Sequence, residues 1–291
     1  MTDKTQRRAA LAILSGAALW GVIGLWNRFL LSAGLSPVDI VVIRNFGGMA
    51  LLSLFFLIRD RSMFRTAPAV LPYYAGTGVV SVLFFTICYF SCQNLCSLSV
   101  ASVLLYTAPS FVVLMSAILW KEPITRRKLL ALVLTLCGCA MVCGLFDRQE
   151  DGWTVTAAGI LYGIGAGFFY ALYSIFGRYA LSSATPMKVT LWTFLFAGTA
   201  SLLLLRPSHM APLASPATCA AALGLVVFST VLPYLLYTSG LARMESGRAS
   251  IMASLEPVVA SLTGVIVFHE PISLAGVVGI ALVLSGVYIL R

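Results

Sequence analysis

Lys121-Glu122-Pro123-Ile124 returns 148 residues later as His269-Glu270-Pro271-Ile272, and the likeness spreads in both directions from that tetrapeptide. At the same spacing Tyr89 aligns with Tyr237, Ser91 with Ser239, Ala101-Ser102 with Ala249-Ser250, Pro109 with Pro257 and Gly138 with Gly286. At a spacing of 150, Trp20 aligns with Tyr170 and Arg28 with Arg178. The chain is a duplication whose unit is about half of its 291 residues.

Apolar runs long enough to cross a hydrocarbon core of ~30 Å recur through both halves. They cover 9–32, 37–58, 71–94, 99–120, 127–145, 154–177, 186–205, 216–240, 247–268 and 273–290. The expected fold is an all-α membrane protein of ten transmembrane helices. Five helices per unit is an odd number, so the second unit enters the membrane in the opposite sense and the repeats are inverted. The expected units are residues 1–146 and 153–291, joined by an external connector at 147–152. Inverted repeats allow two halves to exchange conformations around a central site, the basis of alternating access.

Composition agrees with this class. Hydrophobic residues make up 60% of the chain and charged residues 10%, against roughly 25% charged in soluble domains. Near-continuous apolarity, as in Leu129 to Gly138, excludes the alternating pattern of a β-barrel strand. The net charge of +9 needs no nucleic acid to explain it. With the N-terminus inside, the connectors at the inner face carry Lys4, Arg7, Arg8, Arg59, Arg61, Arg65, Lys121, Arg126, Arg127, Lys128, Arg178, Lys188, Arg243, Arg248 and Arg291, and the outer ones carry Arg148 and Arg206. That asymmetry is the positive-inside rule and predicts both termini to be cytoplasmic in a multi-pass protein of the cell membrane. Lys4, Arg7 and Arg8 before an apolar stretch ending near Ser32-Ala33-Gly34 also imitate a signal peptide. The pairing of helix one with helix six makes it part of the expected fold instead.

Seven cysteines include Cys88, Cys92 and Cys96 on one face of helix three and Cys137, Cys139 and Cys143 in helix five. A soft-metal thiolate site is one reading. The other, adopted here, is that Cys packs as a small apolar residue, with no metal and no cofactor.

A charge near the bilayer centre costs about 2.5 to 3.5 kcal/mol on insertion scales, so each such residue needs a reason. Glu256 falls about nine residues into helix nine. It can hold a substrate amine, exchange a coupling proton, or simply bond a neighbouring helix. Its counterpart in the first unit is Ala108, so the charge breaks the duplication. Pro109 and Pro257, at matching places in helices four and nine, cannot donate a backbone hydrogen bond and are the hinge candidates. Arg44 in helix two can clamp a substrate carboxylate or snorkel to the outer headgroups. Arg28 and Arg178 read as interfacial anchors. Glu122 and Glu270 read as helix-start carboxylates favoured by the dipoles of helices five and ten, or as gate residues. Gly159, Gly163, Gly167 and Ala171 form a small-residue ridge for close helix packing, as do Gly138, Ala275 and Gly279.

Leu19-Trp20-Gly21, Arg44, Ala108-Pro109 followed by Trp120-Lys121-Glu122-Pro123, and Glu256-Pro257 followed by His269-Glu270-Pro271 stand in an order that resembles the EamA-type members of the drug/metabolite transporter superfamily. The resemblance covers nearly the whole chain. It implies duplicated five-helix units and export of amino acids or other metabolites. Relatives in the superfamily move nucleotide sugars, choline or toxic cations. It also implies a central cavity lined by helices one, three, four, six, eight and nine, which puts Trp20, Tyr89, Tyr106, Tyr170, Tyr173, Tyr234, Tyr237 and Glu256 forward as substrate-binding candidates. Aromatic faces can stack planar groups or hold cations. Trp20 and Tyr170, being equivalent, are expected to face each other across the pseudo-two-fold axis.

An enzyme is not expected. His209 and His269 are the two histidines, and neither accompanies a nucleophile motif. No Gly-x-x-x-x-Gly-Lys-Ser/Thr loop occurs, so gradients rather than ATP must drive the protein. The expectation is a monomeric secondary transporter of neutral or aromatic amino acids, with proton coupling through Glu256. The alternatives are a carrier of organic cations or amines and, as a separate class, a non-transporting scaffold or sensor.

Overall fold

The computed structural model describes residues 3–145 and 155–290. The connector expected at 147–152, with Arg148, lies outside the described residues, as does Arg291. Among the described residues the chain is helical, with no strand and one isolated antiparallel bridge between Cys96 and Val155.

Eight segments are long and apolar enough to cross a membrane: α1 (Lys4–Ser32), α2 (Pro37–Arg59), α3 (Pro68–Leu95), α4 (Leu98–Trp120), α6 (Ala157–Leu181), α7 (Pro186–Leu204), α8 (Pro216–Leu241) and α9 (Ser246–Phe268). The two remaining expected segments are shorter. α5 (Arg126–Val142) has 17 residues and α10 (Leu274–Ile289) has 16, against the ~20 a full crossing takes. α5 stops early because the chain turns at Cys143 into Gly144, whose φ of 75° lies in the left-handed region.

Short polar residues begin the helices, as a first turn with unpaired N–H groups requires. Ser36 and Asp39 form a reciprocal capping box at α2, and Thr125, Thr156, Thr185 and Ser273 each cap their helix with a side-chain oxygen.

Inversion is visible in how the helices meet. α4 ends at Trp120, and the Glu122 just beyond it contacts Ser246 and Gly247 at the start of α9. The equivalent helices α4 and α9 therefore run antiparallel. α5 and α10 do the same, since Gly138 lies on Gly279 while Thr135 and Ala131 lie on Gly286. The main packing partners map onto one another when the halves are exchanged: α1 with α8 becomes α6 with α3, α1 with α9 becomes α6 with α4, and α2–α7, α4–α9 and α5–α10 map onto themselves.

Departures from regular helix repeat as well. α4 is broken after Leu105 and resumes at Ala108, and α9 is broken after Ala253 and resumes at Glu256, with Pro109 and Pro257 in the first turn of each second half. α3 and α8 carry a wider, π-type winding at Gly76–Leu83 and Val227–Val231. Irregular backbone at membrane depth persists where it is enclosed by protein or lines a cavity.

The outer surface is apolar, as in Leu203, Ile58, Leu161 and the equivalent pair Ile118 and Ile266. Exposed hydrocarbon on this scale, on helices long enough to span a bilayer, marks a lipid-facing surface. The glycine ridge of α6 is buried, with Gly159 against Cys96, Gly163 against Leu104 and Cys92, and Gly167 against Thr107. Cys92 and Cys96 thus serve helix packing.

A Cβ at Gly138 would stand 2.7 Å from the Gly279 carbonyl oxygen. Gly138→Leu must push α5 from α10, and overpacking of this kind costs about 1–3 kcal/mol or more. Its thermal unfolding in detergent should fall by several degrees. Gly24→Ala, with nothing within 4 Å of the added methyl, should leave it unchanged or raise it.

Candidate functional site

The break in α9 sets the centre of the site. Ser254 and Leu255 leave the helical path, and Glu256 starts the second half near the middle of a 23-residue span. A carboxylate there sits in the first turn of the helical half that the break creates, where unpaired backbone N–H groups favour negative charge. The Tyr170 hydroxyl of α6 donates to Glu256 Oε2 at 3.4 Å, and the Tyr106 hydroxyl, at the break in α4, also reaches the carboxylate. Both breaks and α6 therefore converge on one acid.

Arg44 answers it from α2. Its side chain turns inward to the Tyr234 hydroxyl and acts on Glu256 through space, and its Nε is buried with no hydrogen-bond partner. The Arg44 side chain is thus directed toward Tyr234 and Glu256 and away from the outer headgroups. Asn45 beside it instead ties α2 to α7 by a buried bond to Ser201 Oγ at 2.9 Å.

The floor of the site is aromatic. Trp20 meets Tyr234 edge-on with ring centroids 5.1 Å apart and Tyr237 at 5.5 Å, and Tyr173 meets Tyr234 at 5.0 Å. Tyr173 and Tyr237 spend their hydroxyls on Thr238 and Ser174, both at 2.7 Å. Trp20 and Tyr170 line one void of ≈ 20 Å³ together with Ser81, Ser250 and Ala253. Tyr170 itself packs edge-on to Phe85 at 5.3 Å. The expected facing pair is thus two walls of a common void, which holds no more than a water-sized object.

Open space lies beside this floor. A cavity of ≈ 370 Å³ runs from Glu270 past Ser99, Ser102 and Ser261 to Tyr106 and Pro257, next to Glu256. Tyr89 reaches it indirectly, with its hydroxyl 3.1 Å from Ser102 Oγ. At the opposite end of α9 a second cavity of ≈ 560 Å³ is bordered by Gln6, Trp120, Arg178, Arg243, Glu245 and Arg248, and its residues are separate from those of the central void.

Two clusters of charge differ from their sequence readings. Arg178 lies 3.4 Å from Glu122 and donates to the Met244 carbonyl at 2.9 Å, and Arg28 pairs with Glu270. Neither arginine is simply an interfacial anchor, because each is drawn to a carboxylate of the other repeat. Glu122 accepts from the Ser246 and Gly247 amides of α9 at 3.0 and 3.3 Å, so the dipole it serves is that of α9 and not of the helix that follows it. Lys128, in a basic connector of the sequence, is 4% exposed and bonds Glu245 at 2.7 Å. The duplicated spacing of Arg28/Arg178 and Glu122/Glu270 was the signal for these pairs.

An inverted helical duplication with a polar centre beneath a lipid-facing surface defines an integral membrane carrier. The sequence pattern of the EamA-like transporter family matches it twice, over residues 7–144 and 157–291, and the chain belongs to that family. It is a multi-pass transporter of small metabolites in the cell membrane, not an enzyme. It is 28% identical to an uncharacterized transporter of Archaeoglobus fulgidus, covering 98% of this chain and 97% of that one. It is 23% identical to the uncharacterized inner membrane transporter YicL of Salmonella typhimurium, over 98% and 95%. A probable amino-acid metabolite efflux pump of Salmonella typhimurium is 25% identical over 65% of this chain and 66% of its own length. A solved crystal structure shares the fold at a TM-score of 0.77 and 20% identity, covering 97% of this chain and 95% of that one.

Proposed function

We propose that the protein moves neutral or aromatic amino acids, in export or exchange, by alternating access around the Glu256 centre. The observation that carries this is the opposed pair of charges on one cluster of aromatic rings. Glu256 suits an α-ammonium group, and the buried, unpartnered Nε of Arg44 suits an α-carboxylate. A zwitterion satisfies both at once, and its side chain then falls toward Trp20, Tyr170 and Tyr234. An organic cation would leave the guanidinium facing it, a repulsive element against that alternative.

On this reading α5 and α10 also cross, the bilayer thinning or their flanks snorkelling to make up the length. Both termini then lie in the cytoplasm, on the face where Gln6, Arg178, Arg243 and Arg248 border one cavity. The protein works as a monomer, and Glu256 carries a coupling proton when no amine occupies it. Pro109 and Pro257 mark the hinges.

Ligand-dependent thermal unfolding of the purified protein tests the substrate class, since a ligand at 100 times its Kd adds about 2.7 kcal/mol to stability. Leucine, phenylalanine and tryptophan are expected to raise the unfolding temperature, and choline or the matching decarboxylated amines to raise it less. Stabilisation by the amines alone would overturn the amino-acid reading.

A further inference from the structure

We infer that Glu122 and Glu270 are alternating caps that latch opposite ends of the α4–α9 pair, each holding the transporter closed at its own end. The reading goes beyond the choice of substrate and does not depend on it.

The two ends are built from the same parts. Trp120 and Phe268 end their helices at equivalent positions, and Lys121 and His269 follow with φ of 54° and 53°. A left-handed conformation is costly for residues with a Cβ, yet it is kept twice. It folds the chain back so that the next amide bonds the helix it has just left, Glu122 N–H to Ser116 O at 3.3 Å and Glu270 N–H to Gly264 O at 3.2 Å. Each glutamate is thereby aimed across the end of its helix. Each is met by an arginine of the other repeat that also lies over the adjoining ring, Arg178 over Trp120 at 5.3 Å and Arg28 over Phe268 at 4.1 Å.

The remaining contacts differ, and Glu122 also lies 3.9 Å from Lys128 Nζ, where the repeat places Gly276. At the Glu122 end the carboxylate caps the first two amides of α9, Ser246 and Gly247, and is 7% exposed. By the repeat, the counterpart for Glu270 is the start of α4 at Leu98 and Ser99. Glu270, Leu98 and Ser99 instead line the ≈ 370 Å³ cavity together, and the Glu270 side chain is 44% exposed. Helices α4 and α9 thus form a V, closed where Glu122 caps α9 and open where Glu270 faces α4.

Both arms of the V are broken near their middles, at Tyr106–Thr107 and Ser254–Leu255. Rocking at these breaks would bring Glu270 onto the Leu98 and Ser99 amides and draw Glu122 off those of Ser246 and Gly247. The Ser97 hydroxyl accepts from the Val100 amide at 3.4 Å, a different donor of the same first turn. The transporter then opens to the other side by trading one carboxylate cap for its equivalent. Glu122, Glu270, Arg28 and Arg178 are positioning residues of this exchange and touch no substrate.

Thiol modification in nanodiscs, where reagent reaches both faces, reads the exchange. Cys143 lines the open cavity and serves as one reporter after the other six cysteines are replaced by serine. Ser250→Cys in a fully cysteine-free background, one turn inside Ser246, serves as the other. Glu122→Gln is expected to speed labelling at Ser250→Cys and slow it at Cys143, each by about tenfold. Glu270→Gln is expected to change neither reporter in that direction and to favour Cys143. Arg178→Gln should copy Glu122→Gln and serves in its place if that variant does not fold. Exchanging the charges in Glu122→Arg with Arg178→Glu should restore part of the original ratio. Equal changes for Glu122→Gln and Glu270→Gln, or no change in the ratio of the two labelling rates, would overturn the proposal.

Discussion

Glu256→Gln is expected to lower the affinity for amino acids by about 10- to 150-fold. The substitution keeps the shape and the contacts with Tyr170 and Tyr106 but removes the negative charge. A hydrogen bond to a charged group contributes about 1.5–3 kcal/mol, and each ~1.4 kcal/mol is tenfold in binding. The same change removes the one mid-span carboxyl that the proposal uses as proton carrier. Transport by the variant should therefore lose its response to a pH gradient, while its expression and unfolding temperature stay near those of the native protein. Concentration-dependent uptake measured at two pH values checks both. Native affinity with native pH response would remove Glu256 from the site.

Arg44→Met is expected to separate substrates that the native protein distinguishes. Methionine fills a similar length of apolar stem but offers nothing to a carboxylate. Amino acids should bind ~10- to 100-fold more weakly. Their decarboxylated amines should bind as well as before or better, because a repelling charge beside Tyr234 is gone. Arg44→Lys should recover only part of the loss, since an ammonium cannot reproduce the two-pronged guanidinium contact. Competition by paired amino acids and amines against one labelled substrate measures the ratio. An unchanged ratio in Arg44→Met would show that Arg44 does not read the carboxylate.

Both effects arise from residues that the duplication leaves single. Glu256 stands opposite Ala108, whereas the prolines at the breaks, the Gly138 and Gly286 positions and the glutamate–arginine pairs at the helix ends occur twice. The paired features build a frame that can take two equivalent shapes, and the unpaired ones define what is carried. This division is why loss of a paired element is expected to shift the balance of shapes and loss of Glu256 or Arg44 to alter the ligand.

Much of the frame was legible because hydrocarbon thickness imposes its own ruler. The observed limits of α2, α4, α7 and α9 lie within a residue or so of the apolar runs, with Pro37, Pro186 and Phe268 marking ends in both. The inverted order followed from an odd helix count. The early end of α5 was not legible, since the apolar run continues to Leu145 and only the turn at Gly144 ends the helix, whereas α10 lies within a residue of its run at 273–290. The breaks of α4 and α9 were signalled by Pro109 and Pro257.

Side-chain direction was harder to read. Arg44 could point to lipid headgroups or to the centre, and composition does not choose. Tyr173 and Tyr237 looked like Tyr170 in sequence, yet their hydroxyls are engaged by Thr238 and Ser174. Glu122 was placed at the right helix end but against the wrong helix, because its partners are backbone amides more than 120 residues away. Contacts between repeats decide all of these, and a single strand of sequence carries them only through its internal symmetry.

Uptake of labelled phenylalanine and leucine into proteoliposomes holding the purified protein tests the central claim most directly. The account predicts saturable uptake that unlabelled amino acid on the far side accelerates and that Glu256→Gln reduces by at least about tenfold. Flux no greater than that of empty liposomes for every neutral amino acid, from protein that folds and inserts normally, would contradict it.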